Sequence, residues 1–210
     1  MKIAYEHSHL NGKEFLIVHF PDELQEILDV ISSVDGDVWK RSAEKAKNER
    51  AKRDGKPYAL VHNQSAINAD FKDKFRKRGW NEKRHSYYAT TDESTAREIL
   101  TLSANEAKRI IEAKGHTAFP RGNQTDFIKN GIGIEVQFGK YSFVAYDFFV
   151  KHMTFFISGD INVGVEIIPT SRMLKDMDSG PANYEGEIFN LYRQGRNTPA
   201  VPLWVLGIEP

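Results

Sequence analysis

The clearest period along the chain lies in IGIEVQF, residues 132–138, where apolar and polar positions alternate. Ile132, Ile134, Val136 and Phe138 fall on one face, and Gly133, Glu135 and Gln137 on the other, the pattern of a half-buried strand. Glu135 and Gln137 therefore leave that strand in the same direction. Other stretches change period. PDELQEILDVISSV sets Leu24, Ile27, Leu28 and Ile31 at helical spacing, with Pro21 suited to the first turn, and FLIVHF before it reads as a short buried strand. AINADFKDKFRKRGW predicts a basic helix closed by Gly79, with SYYATT a strand after it. Ser103, followed three residues later by Glu106, predicts a capping box and a helix that stops at Gly115.

NVGVEIIP and VPLWVLGI are compact apolar runs of the kind that form interior strands. Asp178, Ser179, Gly180 and Pro181 mark a loop, and YEGEIFNLYRQGR beyond it predicts a helix. FVAYDFFVKHMTFFIS carries aromatics on more than one face, so this helix is expected to be buried on two sides. One side fits the sheet, and the other fits either a partner subunit or the interior of a single chain. The stretch from Lys40 to Lys56 lacks an apolar stripe and reads as a helix on a charged surface or a mobile arm. Helices and strands interleave without strict alternation. The expected fold class is α/β, a mixed central sheet flanked by helices, in one domain spanning residues 1–210.

Composition narrows the chemistry. With no cysteine, disulfides, thiolate catalysis and thiolate metal sites are excluded, so a metal would take oxygen or imidazole ligands. No apolar run reaches the length of a membrane span and the N-terminus has no apolar segment of the signal-peptide kind, which predicts a soluble, cytoplasmic protein. Formal net charge is zero, yet Trp39 to Arg84 holds 15 Lys and Arg against 6 Asp and Glu, a local excess of nine balanced by the rest of the chain. Such a concentration fits phosphate contacts on DNA as well as a solvated lysine-rich surface.

Asp126 precedes Glu135 by nine residues. Brought together at the end of a sheet, the two carboxylates and the Val136 carbonyl would make a hard, oxygen-rich site suited to magnesium. Glu112, on the preceding helix, is a further carboxylate candidate, although an exposed helical glutamate is the simpler reading. His7 and His9 alternate as zinc ligands could, but without a third ligand they read as surface residues, and His152 reads as packing among aromatics.

YEHSHLNGKEF, NQTDF, IEVQFGKYSFVAYDFFVKHM, NYEGEIFNLYRQGR and PLWVLGI together resemble the type II restriction endonucleases of the BstYI/BglII kind, which recognise GATC-centred sites. The likeness runs end to end toward BstYI and is narrower toward BglII. It places the chain in the superfamily named for its Pro-Asp, Asp/Glu-x-Lys motif, from which it departs twice: Thr125 stands in the proline position and Gln137 in the lysine position. An amide has no proton to exchange at neutral pH and can only hydrogen-bond, so the nucleophile would have to come from metal-bound water that Gln137 orients.

The resemblance implies Mg2+ at Asp126, Glu135 and Val136, a double-stranded DNA substrate, a homodimer matching a palindrome, and a cognate DNA methyltransferase. It also implies base contacts from Lys140 and Ser179, and more weakly from Asp178 and Asn183, with purine-GATC-pyrimidine cut to leave a four-base 5′ overhang. Two other readings keep part of this picture: a non-catalytic sequence-specific DNA-binding protein, and a repair or recombination nuclease on the same fold.

Overall fold

A computed structural model describes residues 1–37, 40–42, 53, 55, 60–139, 142–177 and 182–210, with the side chains of 40–42, 60, 142 and 143 left aside. Its centre is a six-stranded mixed sheet in the order β1-β8-β7-β6-β5-β4. The strands are β1 (Lys2–His9), β4 (Asn81–Ala89), β5 (Phe119–Lys129), β6 (Ile132–Val136), β7 (Val163–Pro169) and β8 (Leu203–Glu209). The two pairs at the centre, β6 with β7 and β7 with β8, are parallel; β1, β5 and β4 add on antiparallel. A small ribbon of β2 (Lys40–Ser42) and β3 (Leu60–His62) stands apart.

Helices cover both faces. On one lie α1 (Gly12–His19), α2 (Pro21–Ser33) and α3 (Gln64–Arg76), whose Leu16, Ile27, Val30, Ile31, Ile67, Phe71 and Phe75 pack on Phe127, Ile134, Val165, Trp204 and their neighbours. The other face meets α6, which is built from Ser142–Tyr146, a π-helical turn Asp147–Lys151, and His152–Ile157. Beside α6 lies α8 (Tyr184–Arg193), with Val144, Phe148, Tyr184, Ile188 and Leu191 against Leu203 and Val205. The remaining helices are α4 (Glu93–Ile99), α5 (Ala104–Ala113) and a single turn, α7 (Ser171–Leu174).

Most of the periodicity is realised as expected. The capping box forms, with the Ser103 backbone N–H donating to Glu106 and the Glu106 N–H to Ser103 Oγ. Gly79 and Gly115 end their helices at positive φ. FLIVHF is the exception: most of it belongs to helix α1. Only Leu16 of this run is fully buried while Ile17 and Val18 are half exposed or more, so it never needed the two-sided burial that a central strand would give it. A short apolar run without alternation does not distinguish strand from helix.

Candidate active site

The two acidic residues meet through the geometry of a hairpin. Asn130 and Gly131, both at positive φ, form the two-residue loop between β5 and β6, with Lys129 paired to Ile132, Ile128 to Gly133 and Phe127 to Ile134. Asn-Gly is the sequence such a tight turn favours, because both central residues need φ above zero. The same register continued by one residue sets Asp126 opposite Glu135. The spacing of nine is therefore the spacing of a cross-strand pair, and cross-strand partners project from the same face of the sheet. Asp126 Oδ2 accepts a hydrogen bond from the Val136 N–H at 3.1 Å, which fixes its carboxylate at the end of β6.

That face is the one α6 covers. Ile134 and Val136 point to the opposite core, while Glu135, and Glu166 beside it on β7, point toward α6. Lys151 donates to Glu135 Oε2 at 2.6 Å and pairs with Asp147 Oδ1 at 2.8 Å. Glu135 and Asp147 are 2 % and 1 % exposed, so both carboxyls are out of water. Burial pushes the Glu135 carboxyl well above its ordinary range and Asp126 pushes it further, with Lys151 opposing them. Asp147 is raised by burial too, against the pull of Lys151 and Gln137. Burial alone would lower Lys151, but Glu135 and Asp147 outweigh it and hold the ammonium charged.

Gln137 donates through Nε2 to Asp147 Oδ2 at 3.3 Å and accepts the Gly139 N–H at 3.1 Å. His152 is more than packing. Its Nε2 lies 3.1 Å from Glu166 Oε2, both residues are fully buried, and its ring sits so close to β7 that a Cβ on Gly164 would fall 2.5 Å from Nδ1. Burial, with Lys151 adding to it, pushes His152 down to about 3, and burial pushes Glu166 well up, so both shifts favour the uncharged forms.

A cleft of about 310 Å³ opens onto this cluster, lined by Asn68, Lys72, Glu82, Asp126, Gln137 and Lys151 among others. Asn68 Oδ1 is buried there, with no hydrogen-bond partner among the described residues. Asn68 and Lys72 come from α3 and Lys151 from α6, so the cleft carries two cationic side chains above the acidic pair. Its donor set is oxygen only. Among the described residues no three carboxylate or imidazole groups converge into a complete cage. That suits a small hard cation, which keeps several waters and takes one or two carboxylates, and the unpaired Asn68 oxygen offers it or its water a further acceptor.

Other expected residues fall elsewhere. Glu112 is exposed on α5 and pairs with Lys108 at 3.7 Å, outside the cleft lining. Asn183 caps α8, its Oδ1 accepting the Gly186 N–H at 3.0 Å. Lys140, Asp178 and Ser179 lie outside the described residues, as does most of the 40–56 segment. His9 is buried and bonds the Pro199 carbonyl at 2.8 Å, while His7 packs edge-on against Tyr192. Asn68, Lys72, Asp147 and Lys151 carry no signal in the sequence, because only tertiary packing brings α3 and α6 to β5 and β6. The local signal in the sequence is Asn130-Gly131, which fixes the register of β5 against β6 next to the acidic residues.

The sequence profile of the restriction endonuclease BglII/BglIII family matches residues 4–208. Among solved structures, BglII complexed with a DNA 16-mer matches with a TM-score of 0.66 at 17 % identity, covering 100 % of this chain and 79 % of that one. Free BglII matches with a TM-score of 0.61 at 16 % identity, covering 100 % and 80 %. No curated protein matches. Fold and profile define a type II restriction endonuclease, a site-specific deoxyribonuclease, of the class that generally works with a divalent metal ion. Within that class the chain belongs to the BglII/BglIII restriction endonuclease family.

Proposed function

We propose that this endonuclease makes magnesium-dependent double-strand cuts at a GATC-centred palindrome, purine-GATC-pyrimidine, leaving a four-base 5′ overhang, as the resemblance of its motifs to BstYI implies. The observation that carries the chemistry is a cleft lined by Asp126, Gln137, Lys72 and Lys151, in which Asp126 accepts the Val136 N–H and Lys151 holds the buried Glu135 carboxyl next to it. Asp126, Glu135 and the Val136 carbonyl would hold the magnesium. When bound, it supplies positive charge against the negative charge that develops on the phosphodiester, and it acidifies a water. Lys72, paired with Glu82, and Lys151, paired with Glu135 and Asp147, line the cleft and would present positive charge to a phosphate there. Gln137 orients the attacking water through its amide, a role open to it only if it loosens its bond to Asp147.

A palindrome calls for a two-fold dimer, which we assign to the outer face of α6, where Tyr146 and Ile157 are exposed. Base contacts from Lys140 and Ser179, with lesser ones from Asp178 and Asn183, and a cognate methyltransferase complete the system. Glu135→Ala is expected to abolish magnesium-dependent cleavage while DNA binding, measured by mobility shift in calcium, stays within a few-fold of the parent. Undiminished cleavage by that variant would remove the proposed site.

A further inference from the structure

The π turn in α6 gives that helix an unusual set of sheet-facing residues. Five residues of regular α-helix turn through about 500°, which would carry His152 roughly 140° round the helix from Asp147. The i→i+5 turn over Asp147–Lys151 brings Asp147, Lys151 and His152 to the same side, Lys151 against Glu135 and His152 against Glu166. Such turns are frequent at functional sites. The result is an ammonium, only 15 % exposed, held between two buried carboxylates, Glu135 at 2.6 Å and Asp147 at 2.8 Å. Its Asp147 bond lies within its own helix and its Glu135 bond reaches to the sheet. Glu135 Oε2, the oxygen that Lys151 holds, belongs to the carboxylate assigned to the metal, and Lys151 itself lines the cleft.

Resting on that assignment, we propose that Lys151 is a built-in stand-in for the divalent cation. Its ammonium holds the Glu135 carboxyl in place before the ion arrives, gives up Glu135 to the ion, and stays tethered by Asp147 at the cleft wall. Lys151 is thus a positioning residue that competes with the metal, and its removal should strengthen metal binding while a merely structural lysine would leave it the same or weaker. Titrating Mn2+ into the full chain without DNA, in mildly alkaline buffer, and reading free ion by electron paramagnetic resonance tests this. Lys151→Met should bind Mn2+ roughly tenfold more tightly than the parent, a coupling of ordinary size, and should cleave more slowly. Equal or weaker binding by Lys151→Met, with its circular dichroism intact, overturns the proposal.

Should Lys151→Met fail to fold, the parent decides. The 13Cε resonance of Lys151, assigned through Lys151→Arg, should shift during a Mg2+ titration with the midpoint of ion binding, and an unmoved resonance in a protein that binds the ion overturns the exchange. Glu135→Ala separates the two levels. Ion binding retained in Glu135→Ala would dispose of the metal assignment itself, whereas binding lost there and unchanged in Lys151→Met would dispose of the stand-in alone.

Discussion

Burial of His152 and Glu166 has opposite consequences on the two sides of the stability optimum. In the folded chain Glu166 keeps its proton above the ordinary value of 4.5, because burial opposes its charge and Asp147 and Glu135 add to that; the unfolded chain loses it. The folded state then binds more protons, so this residue costs stability as pH rises above 4.5. His152 works the other way: it stays neutral down to about 3 when folded, by burial and by Lys151, but protonates below 6.5 when unfolded, so its contribution is lost as pH falls through that window. Glu166→Gln keeps a donor for His152 and removes the alkaline-side cost. Its stability relative to the parent should climb between pH 5 and 8, by at most about 1.4 kcal/mol per pH unit. A stability difference that does not vary with pH, measured by urea unfolding across that range, would show that Glu166 is ionised in the folded chain.

At the scale of elements, the β5–β6 hairpin is the part of the site that tolerates least change. Gly131 has φ of 81°, and a Cβ there would lie 2.6 Å from Asn162 Nδ2. Gly131→Ala should therefore cost about 1–3 kcal/mol of stability, and it should depress cleavage further than thermal melting accounts for, because a changed turn shifts Asp126 against Glu135. Full activity in that variant at a temperature where it is folded would mean the register does not set the acidic pair. This hairpin also shows why part of the site was legible in the sequence. Alternation identified β6 and the shared direction of Glu135 and Gln137, and the spacing to Asp126 is the length of a two-residue hairpin. What α6 contributes was not legible, since a π turn has no period of its own and Asp147 and Lys151 sit in a run whose aromatics dominate the pattern. FLIVHF failed for the related reason that a short apolar run says nothing of how many faces will be covered.

For the whole molecule, the uneven charge finds only a partial explanation. On α3 and β4, Lys74, Lys77 and Lys83 pair with Asp70, Asp73 and Asp160, and Lys72 and Arg76 share Glu82, so much of this basic region is locally balanced. Lys72 and Lys151 line the cleft but are themselves paired, with Glu82 and with Glu135 and Asp147, so a phosphate there would compete with those carboxylates; DNA affinity should fall with added salt as phosphate contacts release counterions. The proposed two-fold dimer predicts a mass in solution of twice 24.0 kDa by light scattering; a monomer at micromolar concentration would contradict it. The most direct test of the account is to digest DNA of known sequence with the protein and Mg2+ and to sequence the ends. The account predicts termini at purine-GATC-pyrimidine alone, each with a four-base 5′ overhang and none with chelator in place of the metal. Scattered termini, or cutting that survives chelation, would contradict it.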